Sequence, residues 1–183
     1  MIGRPWLASY PESVPAEIDP TRYTSVADLL RASFDRHGNA PAFSNLGATL
    51  TFSAVDRESR AFASYLTRLK LVKGDRVAVM LPNLLQSPIV IFGILRAGLV
   101  VVNVNPLYTP NELEHQLKDC GARALIVLEN FAHTVAAVLA KTELETVLVT
   151  RVGDELPALK RLVTNLVVKH VKRLVPPWHI PGA

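Results

Sequence analysis

The stretch from Arg76 to Thr109, RVAVMLPNLLQSPIVIFGILRAGLVVVNVNPLYT, decides the fold class of this chain. Val77–Leu81 and Leu99–Val104 are short apolar runs without polar alternation, a pattern typical of strands buried on both faces of a parallel sheet. Between them, Pro88–Ala97 is too long for a strand and is apolar on almost every side, so it predicts a buried crossover helix. The stretch therefore predicts a β-α-β unit with a right-handed connection.

Strand and helix patterns alternate along most of the remaining chain. Three candidate N-caps, Ser25, Ser53 and Thr109, each stand three residues before an acidic residue, and Pro110 suits the first position of a helix. Further helices are predicted over Ser25–His37, Ser53–Leu69, Thr109–Asp119, Phe131–Ala140 and Leu156–Val175; strands are predicted over Ala124–Leu128 and Thr146–Thr150, and a hairpin over Ala42–Thr51. The predicted class is α/β, with a mostly parallel sheet covered by helices.

Composition divides the 183 residues into three parts. Residues 1–23 hold four prolines, which disfavour helix, and we expect an extended arm anchored by Trp6 and Tyr10. Residues 24–152 carry the α/β pattern. Residues 153–183 form a basic amphipathic helix with a Pro-rich end.

Charge is distributed unevenly between these parts. Residues 1–150 contain 14 basic and 14 acidic residues, whereas residues 151–183 contain 6 and 2, which is the whole net charge of +4. A neutral body argues against nucleic acid as a partner, because nucleic-acid-binding domains need a basic face of their own.

The predicted helix Leu156–Val175 allows two interpretations. Its apolar residues could pack on the sheet and leave a solvated basic face that includes Asn165. Alternatively, the helix could contact an anionic membrane surface, where each basic residue contributes about 1 kcal/mol. The residues that would make this contact are Arg161, Lys169, Lys172 and Arg173.

Two further observations bear on the compartment. Cys120 is the single cysteine, so no disulfide can form within the chain, which suits a reducing cytoplasm. The first twenty residues have no apolar secretory core, and the most apolar window, Ile89–Val102, is interrupted by Arg96 and Gly98. We expect a cytoplasmic protein that could also lie peripherally on the inner membrane face.

The residues do not assemble a catalytic motif in the sequence. Neither G-x-G-x-x-G nor G-x-x-x-x-G-K-[ST] occurs, and the histidines stand apart from one another and from Cys120. Ser87 is interpreted as an N-cap, Cys120 as a buried structural thiol and His115 as a surface residue. Asn83 follows a strand, where α/β proteins bind ligands, although a simple turn residue explains it as well. We predict no catalytic, cofactor-binding or metal-binding residue here.

Several motifs resemble the adenylate-forming acyl-CoA synthetases, and most closely the bacterial long-chain fatty-acid–CoA ligases. RAGLVVVNVNPLYTPNELEHQLKDCGARALIV (96–127) is similar to an early core motif of that family. The segments LTFSA (50–54), GDRVA (74–78) and LPN (81–83) match its surroundings, and the tail LVVKHVKRLVPPWHIP (166–181) resembles the ligases as well.

The resemblance implies an activity that this chain could not perform alone. Such ligases convert a fatty acid, Mg-ATP and coenzyme A to acyl-CoA, AMP and pyrophosphate, and they hold the phosphates on a Ser/Thr/Gly-rich loop ending in a Pro-Lys-Gly-like element. That loop is absent from this sequence. The resemblance therefore implies the first subdomain of the large N-terminal domain, inactive alone. Its expected partners are the remainder of the ligase chain, which binds the long-chain fatty acid, and a second copy in a homodimer.

Two alternatives belong to other classes of protein. One is a stand-alone module that docks on a membrane or a partner through the basic helix. The other is a small nucleotide-binding protein of the flavodoxin type, against which the missing phosphate loop counts.

Overall fold

A computed structural model of the chain describes residues 3–182, and it contains an antiparallel hairpin followed by a parallel sheet. The strands are β1 (Pro41–Asn45), β2 (Ala48–Thr51), β3 (Arg76–Met80), β4 (Val100–Asn103), β5 (Ala124–Leu128) and β6 (Thr146–Thr150). The helices are α1 (Val26–His37), α2 (Phe52–Leu66), α3 (Gln86–Arg96), α4 (Pro110–Cys120), α5 (Ala132–Val138) and α6 (Ala158–Leu166). The predicted α/β class is confirmed.

The sheet has the order β4-β3-β5-β6, and all of its strands run parallel. β5 is buried along its whole length and β3 along all but its first residue, as the apolar runs predict. The prediction that the second apolar run is buried on both faces is wrong. It forms the edge strand β4, in which Val100 is 44% exposed, because a strand paired on one side only keeps solvent contact.

Alternate residues of the central strands face two different helical layers, as the period of two in a strand requires. Ala78 and Met80 pack with residues of α4 and α5, whereas Val77 and Val79 pack with residues of α2 and α3. Ile180 is buried in the α4 and α5 layer, so the end of the described chain returns to the core. The result is a sheet with helices on both faces.

Two predicted helix starts are confirmed. The Asp28 N–H donates to the Ser25 hydroxyl at 3.1 Å. At α4, the Glu112 N–H donates to the Thr109 hydroxyl at 3.4 Å, and the Thr109 N–H donates back to the Glu112 carboxylate at 2.8 Å. This capping box satisfies backbone donors that the first helical turn leaves unpaired.

Two other helix starts differ from prediction. α2 is capped by Thr51, whose hydroxyl accepts from the Ala54 N–H at 3.1 Å, and not by Ser53. Ser87 lies within the first turn of α3 and is not its N-cap, because its hydroxyl donates to the Pro82 carbonyl at 2.6 Å. Neighbouring hydroxyls made both assignments ambiguous in the sequence, since each could cap a helix.

The N-terminal arm also departs from expectation. Pro5–Ser9 forms a short 3-10 helix, which tolerates proline at its start. Trp6 and Tyr10 are 52% and 44% exposed, so the prediction that they anchor the arm is wrong.

Gly93 permits close packing of α2 against α3. A Cβ at this position would lie 2.7 Å from Phe62 Cδ1 and 3.1 Å from the Ser59 carbonyl oxygen. Nearby, Arg96 of α3 pairs with Asp56 of α2, and its guanidinium lies 5.2 Å from the centre of the Phe34 ring. Gly93 therefore sets the distance between the two helices that cover one face of the sheet.

Replacing Gly93 with alanine should destabilise the fold by about 1–3 kcal/mol, because overpacking exceeds the gain of up to about 1 kcal/mol in helix propensity. The Ser59 backbone cannot move aside without displacing α2. Urea denaturation measures the change, and Gly3→Ala serves as the control, since nothing lies within 4 Å of a Cβ there. Equal stability of Gly93→Ala and the parent chain would contradict the packing argument.

Candidate functional site at the carboxyl edge of the sheet

The carboxyl ends of β3, β5 and β6 meet at one edge of the sheet, where open α/β folds bind ligands. The register pairs Val79 with Ile126 and Ile126 with Leu148, so these strands end side by side. The residues that follow β5 and β6 are Glu129 and Arg151. The edge is therefore polar and carries opposite charges.

Glu129 is a buried carboxylate, only 4% exposed. One carboxylate oxygen accepts from Lys169 Nζ at 2.7 Å, and the other lies 3.4 Å from Arg151 Nε. A buried charge of this kind is tolerated only when it is paired, and here two cations share it. The carboxylate connects the sheet to the C-terminal segment that carries Lys169.

A second polar network lies beside it, around Asp154. One Asp154 carboxylate oxygen accepts from the Thr150 hydroxyl at 3.0 Å and from the Arg151 N–H at 2.8 Å; the other accepts from Asn165 Nδ2 at 3.3 Å. The buried Gln86 amide donates to the Arg151 carbonyl at 2.8 Å. Both acids at this edge are thus occupied by donors from the protein.

α6 is attached to the body of the protein through its polar side. The Gly153 N–H donates to Asn165 Oδ1 at 2.8 Å. A Cβ on Gly153 would approach that oxygen to 2.9 Å and the Arg161 carbonyl oxygen to 3.0 Å, so only glycine allows this contact. Lys160 also donates to the Leu46 carbonyl in the hairpin turn.

As a result, the apolar side of α6 faces outward. Leu159 is 76% exposed, Leu162 59% and Val163 51%. The interpretation that these residues pack on the sheet is wrong, because the polar contacts of Asn165 and Lys169 orient the helix the other way. The prediction of one helix over Leu156–Val175 is also wrong in its length. The α-helix α6 ends at Leu166, and a π-helical turn, Val167–Val171, follows it.

A cavity of about 690 Å³ lies between this helix and the sheet edge. Its charged lining consists of Glu129, Arg151, Asp154, Arg161, Lys169 and the neighbouring His170. Val149, Leu162 and Leu166 provide most of its apolar lining. The cavity thus combines a charged base with an apolar wall that continues onto the exposed face of α6.

The four predicted membrane-contact residues occupy different environments. Lys169 is paired with Glu129, and Arg161 lines the cavity. Lys172 and Arg173 are exposed beyond the π-helical turn. No helix within residues 3–182 is long and apolar enough to cross a bilayer.

The other residues that the sequence analysis discussed lie apart from the charged residues around Glu129 and Asp154. Asn83 is an exposed turn residue whose carbonyl accepts from Asn45 Nδ2 at 3.0 Å. Cys120 is a free thiol that is only half-buried, not fully buried as predicted, and its Sγ lies 3.6 Å from the Leu117 carbonyl oxygen. His115 is exposed, as predicted. Among residues 3–182, no three His, Cys, Asp or Glu residues are placed to hold a metal ion.

The edge does not fit a nucleotide phosphate or Mg²⁺. The turn after β3, from Leu81 to Leu85, contains no glycine that would let a phosphate approach backbone N–H groups. Mg²⁺ prefers carboxylate ligands, but Glu129 and Asp154 already accept from basic and amide donors. Chemistry that requires ATP and Mg²⁺ therefore cannot be assigned to these residues.

Sequence reasoning missed Glu129, Asp154 and Gln86 as members of the site. The rule that pointed to Asn83 applies equally to Glu129, because both follow a buried strand. Gln86 gave no such signal, since it contacts residues 64 and 65 positions away in the chain.

The fold is that of the adenylate-forming ligases. A solved long-chain-fatty-acid-CoA ligase from Archaeoglobus fulgidus superposes with a TM-score of 0.68 at 28% identity, over 82% of this chain and 31% of that one. In sequence, residues 30–178 match the AMP-binding enzyme family, and the chain belongs to this family.

Curated relatives agree with this assignment. A long-chain-fatty-acid–CoA ligase of Salmonella typhimurium is 56% identical over 97% of this chain, and one of Bacillus subtilis is 37% identical over 91%. These matches cover 32% and 30% of the two ligases. The chain thus spans about a third of the length of the curated relatives that it matches.

Glu155, beside the cavity, should make stability depend on pH. Burial raises the pKa of the Glu155 carboxyl, and the negative charges of Glu58 and Asp154 act in the same direction. A carboxyl whose pKa is higher in the folded state than in the unfolded state reduces stability as pH rises through those values. Glu155→Gln should therefore stabilise the fold at pH 7.5 and have a smaller effect at pH 4.

Urea denaturation midpoints at both pH values measure this difference. Glu143→Gln provides a matched control, because Glu143 is an exposed residue that loses the same charge. If both substitutions raised the urea midpoint equally at pH 7.5, the change in net charge would explain the effect, and burial of Glu155 would not.

Proposed function

We propose that this chain is the N-terminal part of a long-chain fatty-acid–CoA ligase. The observation that carries the proposal is the 56% identity over 97% of the chain to a ligase of that specificity. The complete enzyme would join a fatty acid to coenzyme A, with ATP and Mg²⁺ as cosubstrate and metal. Its localisation would be cytoplasmic.

Within that enzyme, this part would act as a scaffold. We assign it the sheet that supports the remaining chain, part of the wall around the acyl chain and a surface for a homodimer. The support is physical: the chain lacks the Ser/Thr/Gly-rich phosphate loop, and the acids at its sheet edge are already paired. The 183 residues alone should therefore be inactive.

The relatives favour a ligase over a stand-alone docking module. Their similarity extends through the α/β body as well as the basic helix, whereas a docking module would require only the helix and a support. The alternative of a small nucleotide-binding protein is not favoured either, because this chain lacks the phosphate loop that such a protein requires.

The coding sequence beyond Ala183 tests the ligase proposal. We expect it to encode a Ser/Thr/Gly-rich loop with a Pro-Lys-Gly element, and the joined protein should form oleoyl-CoA from oleate, ATP, Mg²⁺ and coenzyme A. The 183-residue chain should form none under the same conditions. Absence of the loop downstream, or thioester formation by the short chain, would contradict the proposal.

A second role is favoured by one observation, the outward apolar face of α6. We propose that this face contacts an anionic membrane surface, with Lys172 and Arg173 at its border and Arg161 and Lys169 behind it. Exposed leucine and valine side chains beside basic residues are typical of helices that lie in the lipid interface. In the complete ligase, the contact would hold the enzyme peripherally on the inner membrane face.

Sedimentation with liposomes that contain phosphatidylglycerol tests this role. The chain should bind at low salt and release at high salt, because basic residues contribute through screened attraction. Leu159→Ser combined with Val163→Ser should weaken binding several-fold, whereas Leu107→Ser, an equally exposed leucine elsewhere, should not. Absence of binding at low salt, or equal loss from Leu107→Ser, would exclude the proposed surface.

A further inference from the structure

The cavity under α6 carries more positive than negative charge. Arg151, Arg161 and Lys169 face two acids, Glu129 and Asp154, and His170 also lines the space. Glu129 is occupied by two of the cations. Among residues 3–182, Arg161 has no carboxylate within 4 Å. An anion that enters would therefore find a guanidinium that no carboxylate contacts directly, although the Arg161 charge also acts on Glu155 outside the cavity lining.

The cavity wall is apolar on the side of α6. Leu162 and Leu166 line it and are also 59% and 49% exposed, so they join the cavity to the outward apolar face. Val149 of β6 also lines the cavity. A ligand that satisfies both parts needs a negative head and an apolar tail.

The head is expected to carry one negative charge. Arg151 and Lys169 already share the buried Glu129 carboxylate. The three basic and two acidic residues of the lining together leave a net charge of about +1 for the ligand to neutralise. A planar carboxylate matches the paired donors of a guanidinium better than a point charge would. The volume of about 690 Å³ is within the usual range of small-molecule sites, roughly 300–1,000 Å³.

We propose that this cavity binds the carboxylate of a long-chain fatty acid at Arg161, with the acyl chain along Leu162 and Leu166. Lys169 and Arg151 are positioning residues, held by Glu129 so that the base of the cavity stays cationic. The choice of a fatty acid rests on the proposed ligase function. The site would receive the substrate at the sheet edge, apart from any residue that performs the reaction.

Isothermal titration calorimetry of the 183-residue chain with decanoate, below its micelle concentration, tests the proposal. One decanoate should bind per chain. Arg161→Gln should weaken binding at least about tenfold, since a charged hydrogen bond contributes about 1.5–3 kcal/mol. Arg68→Gln makes the same change at an exposed arginine outside the cavity lining and should leave the affinity unchanged. Circular dichroism confirms that both variants fold.

Three further titrations decide the chemistry of the ligand. Decanol should bind far more weakly than decanoate, and inorganic phosphate should give no heat. Tighter binding of decyl phosphate than of decanoate would assign the cavity to a phospholipid head and overturn the carboxylate assignment. Equal binding of decanol, equal weakening by both variants or absence of decanoate binding would overturn the site itself. None of these results would alter thioester formation by the joined ligase. The experiments therefore distinguish a failure of the fatty-acid site from a failure of the proposed ligase function.

Discussion

Burial of the two central strands on both faces of the sheet is the constraint on which the rest of this structure depends. β3 and β5 have almost no exposed face, so each side of the sheet must be covered by helices. Alternate residues of β3 enter two different helical layers, and Gly93 allows one layer to pack closely. Because the strands are parallel, this arrangement also gathers their carboxyl ends at a single edge.

At that edge, a buried carboxylate determines how the C-terminal segment is attached. Burying Glu129 is unfavourable without partners, and Lys169 and Arg151 provide them. Together with the contact between Gly153 and Asn165, these interactions use the polar side of the C-terminal segment. The apolar side of α6 is consequently the side left to solvent, which explains why an amphipathic helix has no buried residue.

Membership of the AMP-binding enzyme family and the properties of the edge fit together. The relatives are about three times as long as this chain, and the acids at its sheet edge accept from protein donors. Because these acids are already paired, they are not free to act as a base or as metal ligands, and the region is suited to supporting the fold and holding an anion. The exposed apolar face of α6 and the cavity with its basic residues are adjacent. Under the two proposals made above, a fatty acid leaving a lipid surface would meet both.

The sequence by itself determined the layered α/β class, because apolar runs without alternation follow one another between helix patterns, and a sheet built from such strands needs helices on both faces. It also determined the starts of α1 and α4, where a hydroxyl and an acidic residue three positions later form a local cap. Ser53 and Ser87 were assigned wrongly, since choosing among neighbouring hydroxyls depends on the backbone path. Local rules are sufficient wherever the interacting groups are neighbours in the chain.

Only the tertiary structure decided the orientation of α6 and the composition of the cavity. Periodicity shows that a helix has an apolar face, but it does not show which face meets the body. That choice was made by contacts between Glu129 and Lys169, 40 residues apart, and between Gly153 and Asn165. Pairing a buried charge is a stronger requirement than covering exposed leucines, and the partners come together only after the sheet has formed.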